Sequence, residues 1–81
     1  MSLRFDRPIK LTNGRTLDGP KAVREAVYAM RTYNDQYEFV GADETERLME
    51  EAIKLGTPEA AKVARAQAVE FFGDNVNHDL H

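Results

Sequence analysis

The chain has 81 residues, of which 42% are hydrophobic and 31% charged, with a formal net charge of −3. That length allows one domain with one modest core, and the acidic total argues against avid non-specific binding of nucleic acid. The absence of cysteine excludes a disulfide scaffold, a thiolate nucleophile and a thiolate-ligated metal site. No stretch approaches the roughly 20 apolar residues of a membrane-spanning helix and no signal-peptide pattern opens the chain, so we expect a cytoplasmic protein.

Charge is unevenly distributed along the chain. Residues 1–34 carry seven basic and three acidic side chains, a net +4, whereas residues 35–81 carry four basic and eleven acidic ones, a net −7. Such asymmetry marks an interaction surface in some proteins and is incidental in many small domains.

The first segment reads as a β-hairpin. Apolar residues alternate with polar ones at Leu3, Phe5, Ile9 and Leu11, which is typical of a half-buried strand. Asn13-Gly14 is a strong hairpin signal. A two-residue loop would pair Ile9 with Asp18, whereas a three-residue loop with Gly14 left-handed pairs Ile9 with Leu17. Only the second puts both apolar residues on one face, so we predict that register.

A first helix is predicted after the hairpin. Asp18 is a suitable N-cap and Pro20 suits the first turn, and the apolar periodicity continues to about Asn34. The segment Tyr37–Val40 alternates and is rich in β-forming residues, so it is either a short third strand or an extended connector.

Two further helices follow closely. Asp43 with Glu46 three residues later predicts a capping box, and Gly56 predicts the end of that second helix. Thr57-Pro58 predicts the start of the third helix, which Gly73 ends. On the second helix we expect the surface ion pairs Arg47–Glu51 and Glu50–Lys54.

These elements predict an α+β fold in which an N-terminal hairpin packs against three helices. We expect a single domain over residues 1–73 and a mobile tail over 74–81, since the tail has no periodicity. The predicted core comprises Phe5, Ile9, Leu11, Leu17, Val23, Val27, Met30, Phe39, Leu48, Ile53, Ala64, Ala68 and Phe72.

A basic stripe on the first helix is the leading candidate binding site. It consists of Lys21, Arg24, Tyr28 and Arg31, which share about a quarter of the helix circumference, roughly opposite the core-facing arc. Three cations around one aromatic ring could hold a phosphate or a carboxylate-rich partner. A solvated helix face is the commoner explanation of such a stripe.

Two other helical surfaces suggest self-association. Val63, Ala66 and Val69 lie outside the inner stripe of the third helix, which leaves that helix apolar or small nearly all round. Such a helix is either covered on two sides within the monomer or packed against a partner, in which case these three residues form the interface. The second helix is rich in acidic residues, which the helix dipole alone explains near its N-terminus. Those acids could also meet the basic stripe of a second copy.

Catalytic and metal chemistry have little support in the sequence. The only histidines, His78 and His81, flank Asp79 in the predicted tail, where any metal binding would be weak and the segment is best read as a polar chain end. No Ser/His/Asp arrangement can be built on the predicted folded part. We therefore expect no catalytic residue, no metal, no cofactor and no enzyme activity.

The whole pattern resembles the domain of unknown function 982 family of small bacterial proteins. The resemblance covers roughly Phe5 to Gly73: Phe5-Asp6-Arg7-Pro8-Ile9 enters a hairpin, and a capped first helix with Ala22 and Ala26 follows. A short second helix and a Pro58 start leading to Ala64-Arg65 complete it. This sequence has Thr32-Tyr33-Asn34 where the family tends to have Trp-Pro, and it lacks the cysteine common in the family's second helix. The resemblance implies the fold and no activity or catalytic residue.

The sequence therefore favours a non-enzymatic protein-interaction or regulatory module that binds a protein partner or forms a homodimer. The alternative is a nucleic-acid or nucleotide binder that uses the basic hairpin and first-helix face.

Overall fold

A computed structural model describes residues 3–33 and 41–77 and confirms an α+β domain in which a hairpin packs with three helices. The strands are β1 (Ile9–Lys10) and β2 (Thr16–Leu17), and the helices are α1 (Pro20–Tyr33), α2 (Ala42–Leu55) and α3 (Pro58–Phe72), followed by a 3-10 turn over Gly73–Asn75. α2 packs against both α1 and α3, which contact each other much less. No helix among the described residues is both long and apolar enough to cross a membrane.

The hairpin has the predicted register. β1 and β2 are antiparallel, with Ile9 opposite Leu17 and Lys10 opposite Thr16. The three-residue loop closes with the Leu11 amide donating to the Arg15 carbonyl at 2.8 Å, and Gly14 has a φ of 88°. The left-handed glycine lets the chain reverse so that both apolar side chains face the core.

The other edge of β1 is covered by the segment that follows α3. Leu11 forms an antiparallel bridge with Val76. The Thr12 amide donates to the Asn75 carbonyl and the Asn77 amide donates to the Lys10 carbonyl, both at 2.7 Å. The prediction of a mobile tail from residue 74 is therefore wrong for residues 74–77, because Val76 contributes a buried side chain and backbone pairing that periodicity cannot detect in so short a segment. Residues 78–81 lie outside the described residues.

The first helix begins one residue later than the predicted cap implies. Pro20 is its first residue, and the Gly19 carbonyl accepts from the Val23 amide at 3.2 Å. Gly19 therefore occupies the N-cap position that we predicted for Asp18. The Asp18 carbonyl instead accepts from the Phe5 amide at 2.8 Å, which ties the start of the chain to the end of β2.

The capping box predicted for the second helix is also wrong. α2 is preceded by Gly41 in a left-handed conformation, with φ 85°, and no side chain caps its first turn. The predicted end of α2 and both predicted ends of α3 are confirmed. Gly56 ends α2 in the left-handed region, Thr57 accepts from the Ala60 amide at 3.2 Å in front of Pro58, and Gly73 follows α3.

The core lies where the hairpin, α1 and the inner faces of α2 and α3 meet. Nine of the predicted core residues are buried: Phe5, Ile9, Leu11, Leu17, Val23, Val27, Ala64, Ala68 and Phe72. Met30 and Leu48 are only partly buried, and Ile53 is wrong as a core residue, since it is 41% exposed. The predicted list omitted buried residues that are mostly small: Ala26, Ala42, Met49, Ala52, Ala61 and Val76.

One buried polar pair links the last two helices. Thr45 is fully buried, and its hydroxyl oxygen accepts a hydrogen bond from the Gln67 side-chain amide at 3.2 Å. The predicted core residue Phe39 and the candidate third strand Tyr37–Val40 lie outside the described residues.

Candidate functional site

Three of the four residues in the basic stripe line a groove between α1 and α2. The groove has a volume of about 350 Å³. Its α1 side is formed by these three residues and Glu25, and its α2 side by Glu46 and Glu50. The Tyr28 residue is 69% exposed. The stripe therefore borders the second helix, whereas the sequence pattern placed it roughly opposite the core.

Arg31, the fourth stripe residue, is held by α2. One of its terminal nitrogens lies 2.9 Å from an Asp43 carboxylate oxygen and 3.0 Å from a Glu46 carboxylate oxygen. These are the two acids that the sequence pattern assigned to a capping box. Their spacing of three residues puts both on one face of α2, and here that face meets α1.

A weaker pair lies further along the same groove. The Arg24 guanidinium is 3.6 Å from a Glu50 carboxylate oxygen. The predicted pair Arg47–Glu51 is present at 3.0 Å, and Arg47 also contacts Glu44 at 2.9 Å. In the described part of the chain, Glu50 thus pairs across the α1–α2 boundary with Arg24 and not along its own helix with Lys54.

These ion pairs change what the stripe offers a ligand. Two of its three cations already have carboxylate partners within the same chain, so the groove presents alternating charges around an exposed tyrosine. The acidic residues of α2 therefore pair with the basic stripe of their own chain, whereas the sequence suggested that they could meet the stripe of a second copy. Because every partner in these pairs has substantial solvent access, each pair contributes only about 0–1 kcal/mol to stability.

The predicted α3 interface is only partly on the surface. Val63 is 59% exposed and Ala66 is exposed, whereas Val69 is partly buried against the core. Sequence reasoning missed a larger exposed apolar residue, Leu55 at the end of α2, which is 67% exposed. The one sequence signal for its exposure is its position in the last turn of α2, directly before Gly56.

A second cavity was not indicated by the sequence. It has a volume of about 200 Å³ and includes Arg7, Lys62 and Arg65 in its lining. The Arg65 Nε donates to the Arg7 carbonyl oxygen at 2.7 Å. No sequence signal could have joined these residues, because Arg7 and Arg65 are far apart in the chain and belong to different elements.

A third cavity is mainly apolar. It lies between the hairpin loop and α1, with about 350 Å³ of space, and Leu11, Ala26, Met30 and Phe72 are among its lining residues.

Within residues 3–33 and 41–77, no group of three or more histidine, aspartate or glutamate side chains is placed to hold a metal ion. The His78–His81 cluster considered from the sequence lies outside the described residues.

Comparison of the chain with protein-family models, curated proteins and solved structures finds no match. The resemblance to the domain of unknown function 982 family therefore stays a prediction.

Proposed function

We propose that this chain is a non-enzymatic interaction module that binds a protein partner through the α1–α2 groove. The observation that carries the proposal is the exposed Tyr28 in a groove whose basic and acidic walls form ion pairs between the two helices. Tyrosine is enriched at the energetic centres of protein interfaces because it combines a large rigid ring with a hydrogen-bonding hydroxyl.

The charge pattern of the groove favours a protein over a nucleic acid. Arg24 and Arg31 each face a carboxylate, so a polyanion approaching them also meets the repulsion of Asp43, Glu46 and Glu50. A folded protein surface carries charges of both signs and can match such alternation. The cytoplasmic location expected from the sequence belongs to the same proposal.

The test is quantitative capture of partners from a cell lysate, with and without nuclease, using wild-type protein and a Tyr28→Ala variant. We expect Tyr28→Ala to lose the nuclease-resistant partners, because truncation of a central interface tyrosine commonly costs more than about 1 kcal/mol of binding. Leu55→Ala is the matched control, since Leu55 is equally exposed on another helix. Equal capture by wild type and Tyr28→Ala would contradict the groove as the binding surface.

A charge-based variant separates this proposal from the nucleic-acid alternative. Lys21→Glu reverses the groove cation for which no ion pair is described, and Lys54→Glu makes the same charge change on α2. If Lys21→Glu loses protein partners that Lys54→Glu still captures, the result supports a protein-interaction module. Nuclease-sensitive capture with a steep dependence on salt would instead support nucleic-acid binding.

Self-association through α3 is the second part of the proposal. Val63 and Ala66 give α3 an exposed apolar and small-residue surface, which suits close helix contact between two copies. Sedimentation equilibrium should show concentration-dependent dimers for wild type and fewer for Val63→Glu. A wild-type protein that stays monomeric at the highest soluble concentration would rule this part out without affecting the groove.

A further inference from the structure

Residues 75–77, which we call the closing segment, complete the edge of β1. Backbone hydrogen bonds of 2.7 Å join the first and last residues of the segment to Thr12 and Lys10. Its central residue, Val76, is 4% exposed and lies opposite Leu11. The segment is thus bound to β1 through backbone groups and one apolar side chain, and the closing segment of a second copy can make the same interactions.

Gly73 is the hinge between α3 and the closing segment. Its φ of 52° and ψ of −114° lie in a region that residues with a side chain rarely adopt. Lack of space does not require glycine here, because nothing lies within 4 Å of a Cβ at this position. The direction of the chain requires it, since the backbone must turn from the end of α3 onto the edge of β1 within the 3-10 turn.

A hinge of this kind favours exchange of a segment between copies. Short connections that are held in an unusual conformation promote domain swapping. The exchanged form keeps the contacts of the closed form, and the connection is released from its turn.

We propose that this chain forms a dimer in which the closing segment of each copy pairs with β1 of the other copy. Val76 then fills the core of the second copy, so the β1 edge of each copy is completed by its partner. Gly73 no longer has to turn the chain back onto its own hairpin. This dimer goes beyond the association proposed for the α3 surface, because it does not use Val63 or Ala66.

The chain has no cysteine, so introduced thiols can report the exchange. Thr12 and Asn75 are exposed and lie opposite each other beside the Leu11–Val76 bridge. Opposite residues of antiparallel strands are close enough for a disulfide. Replacing either side chain leaves the backbone hydrogen bond between these two residues in place.

The experiment mixes the full-length single variants Thr12→Cys and Asn75→Cys at high concentration, oxidises them in a glutathione buffer and identifies the disulfides by mass spectrometry. The control mixture replaces Asn75→Cys with Lys54→Cys, an exposed position on α2. We expect at least about tenfold more heterodisulfide from the first mixture, because exchange holds its two thiols together. Equal yields from the two mixtures would overturn the proposal.

A hinge variant tests the cause of the exchange. Gly73→Ala strains the closed form, and exchange relieves that strain at two hinges per dimer. A positive φ disfavours alanine by about fivefold or more, so the dimerisation constant measured by sedimentation equilibrium should rise about 25-fold or more. Gly14→Ala is the matched control, because Gly14 also has a positive φ and open space around it but lies outside the hinge.

Equal dimerisation of Gly73→Ala and Gly14→Ala would contradict the hinge as the cause. If Gly73→Ala does not fold, the cysteine mixtures decide the proposal, since they keep the natural hinge.

The variant Val63→Glu separates exchange from association through α3. Added to both cysteine variants, it should leave the heterodisulfide yield within about twofold of the original mixture, because distant sites act independently. Loss of the heterodisulfide on adding Val63→Glu would show that contact through α3 brings the thiols together, and would overturn exchange. A yield that persists while the α3 dimer disappears supports exchange alone.

Discussion

Gly19 must be glycine because of the atoms packed against it, and not because of its own backbone angles. Its φ is not among the positive values found at Gly14, Gly41, Gly56 and Gly73, so an L-residue could adopt its conformation. A Cβ at this position would, however, overlap the Leu3 carbonyl oxygen and lie 3.4 Å from the Arg4 Cα. The glycine lets the start of the chain cross directly over the turn into α1.

We predict that Gly19→Ala destabilises the protein by roughly 1–3 kcal/mol, the usual cost of forcing extra volume into a packed site. Both obstructing atoms are backbone, so relief requires the segment at Leu3 to move. Gly14→Asn is the comparison, because nothing lies within 4 Å of a Cβ there and its cost comes only from the positive φ, which asparagine tolerates better than most residues. Chemical denaturation should show a smaller loss for Gly14→Asn than for Gly19→Ala; a larger loss for Gly14→Asn would contradict packing against Leu3 as the main cost.

At the scale of elements, the N-termini of α2 and α3 use different chemistry. Thr57 caps α3 through its side chain, in the manner that its sequence context predicts. Asp43 and Glu46 have the spacing of a capping box, yet both bind Arg31 on α1. A local sequence pattern indicates which polar side chains lie near a helix end. Whether those side chains bind the backbone of their own helix or a residue of a neighbouring helix depends on tertiary packing.

We predict that Thr57→Ala lowers the free energy of unfolding by about 1 kcal/mol, because the Ala60 amide loses its side-chain acceptor. The cap is a neutral hydrogen bond, so the loss should be nearly independent of salt. Thr12→Ala is a suitable reference for the loss of an exposed threonine in a loop. Urea denaturation at low and high salt measures both variants, and a Thr57→Ala effect within 0.3 kcal/mol of the reference, roughly the error of the method, would argue against the cap.

Asp43→Ala should behave differently from a cap substitution. We expect a loss of about 0.5 kcal/mol that shrinks with added salt, since Asp43 contributes an exposed ion pair and a favourable position near a helix N-terminus. A double-mutant cycle with Arg31→Gln should give a positive coupling energy at low salt that screening removes. Additive effects of the two substitutions would mean that the Arg31–Asp43 pair contributes nothing.

Prediction from sequence succeeded where the controlling interactions are local. Hairpin register follows from turn chemistry and the two-residue alternation, and the ends at Gly56 and Gly73 follow from glycine's tolerance of unusual backbone angles. It failed for Ile53, which periodicity placed on the inner face of the second helix although the residue is largely exposed. It also failed for Asp43, whose partner lies on another helix, since single-sequence patterns carry no information about which helices meet.

At the scale of the whole molecule, the segment after α3 completes the sheet and part of the core. Val76 is 4% exposed, and backbone hydrogen bonds join the residues on either side of it to Lys10 and Thr12. The candidate sites show the same dependence on long-range packing. The groove requires α1 and α2 to meet, and the cavity lined by Arg7 and Arg65 requires the segment before β1 to meet α3, so neither could be assembled from sequence spacing.

We predict that Val76→Ala destabilises the domain by about 1–2 kcal/mol, because two buried methyl groups are lost and the site closes only partly. Leu55→Ala removes more apolar volume from an exposed position and should change stability by less than about 0.5 kcal/mol. Thermal and urea denaturation of both variants test the contrast. A larger loss for Leu55→Ala than for Val76→Ala would show that residues 74–77 are not part of the stable unit.

Because residues 75–77 pair with residues 10–12, the domain can complete its fold only after residue 77 has been synthesised. The hairpin and α1 leave the ribosome before α2 and α3, and the strand-like partner of residues 10–12 is made only after all three helices have been translated. Pairings so distant in sequence form late and slow folding. Until residue 77 emerges, one edge of β1 stays open to other chains, so the nascent protein should be most prone to mispairing just before this segment is released.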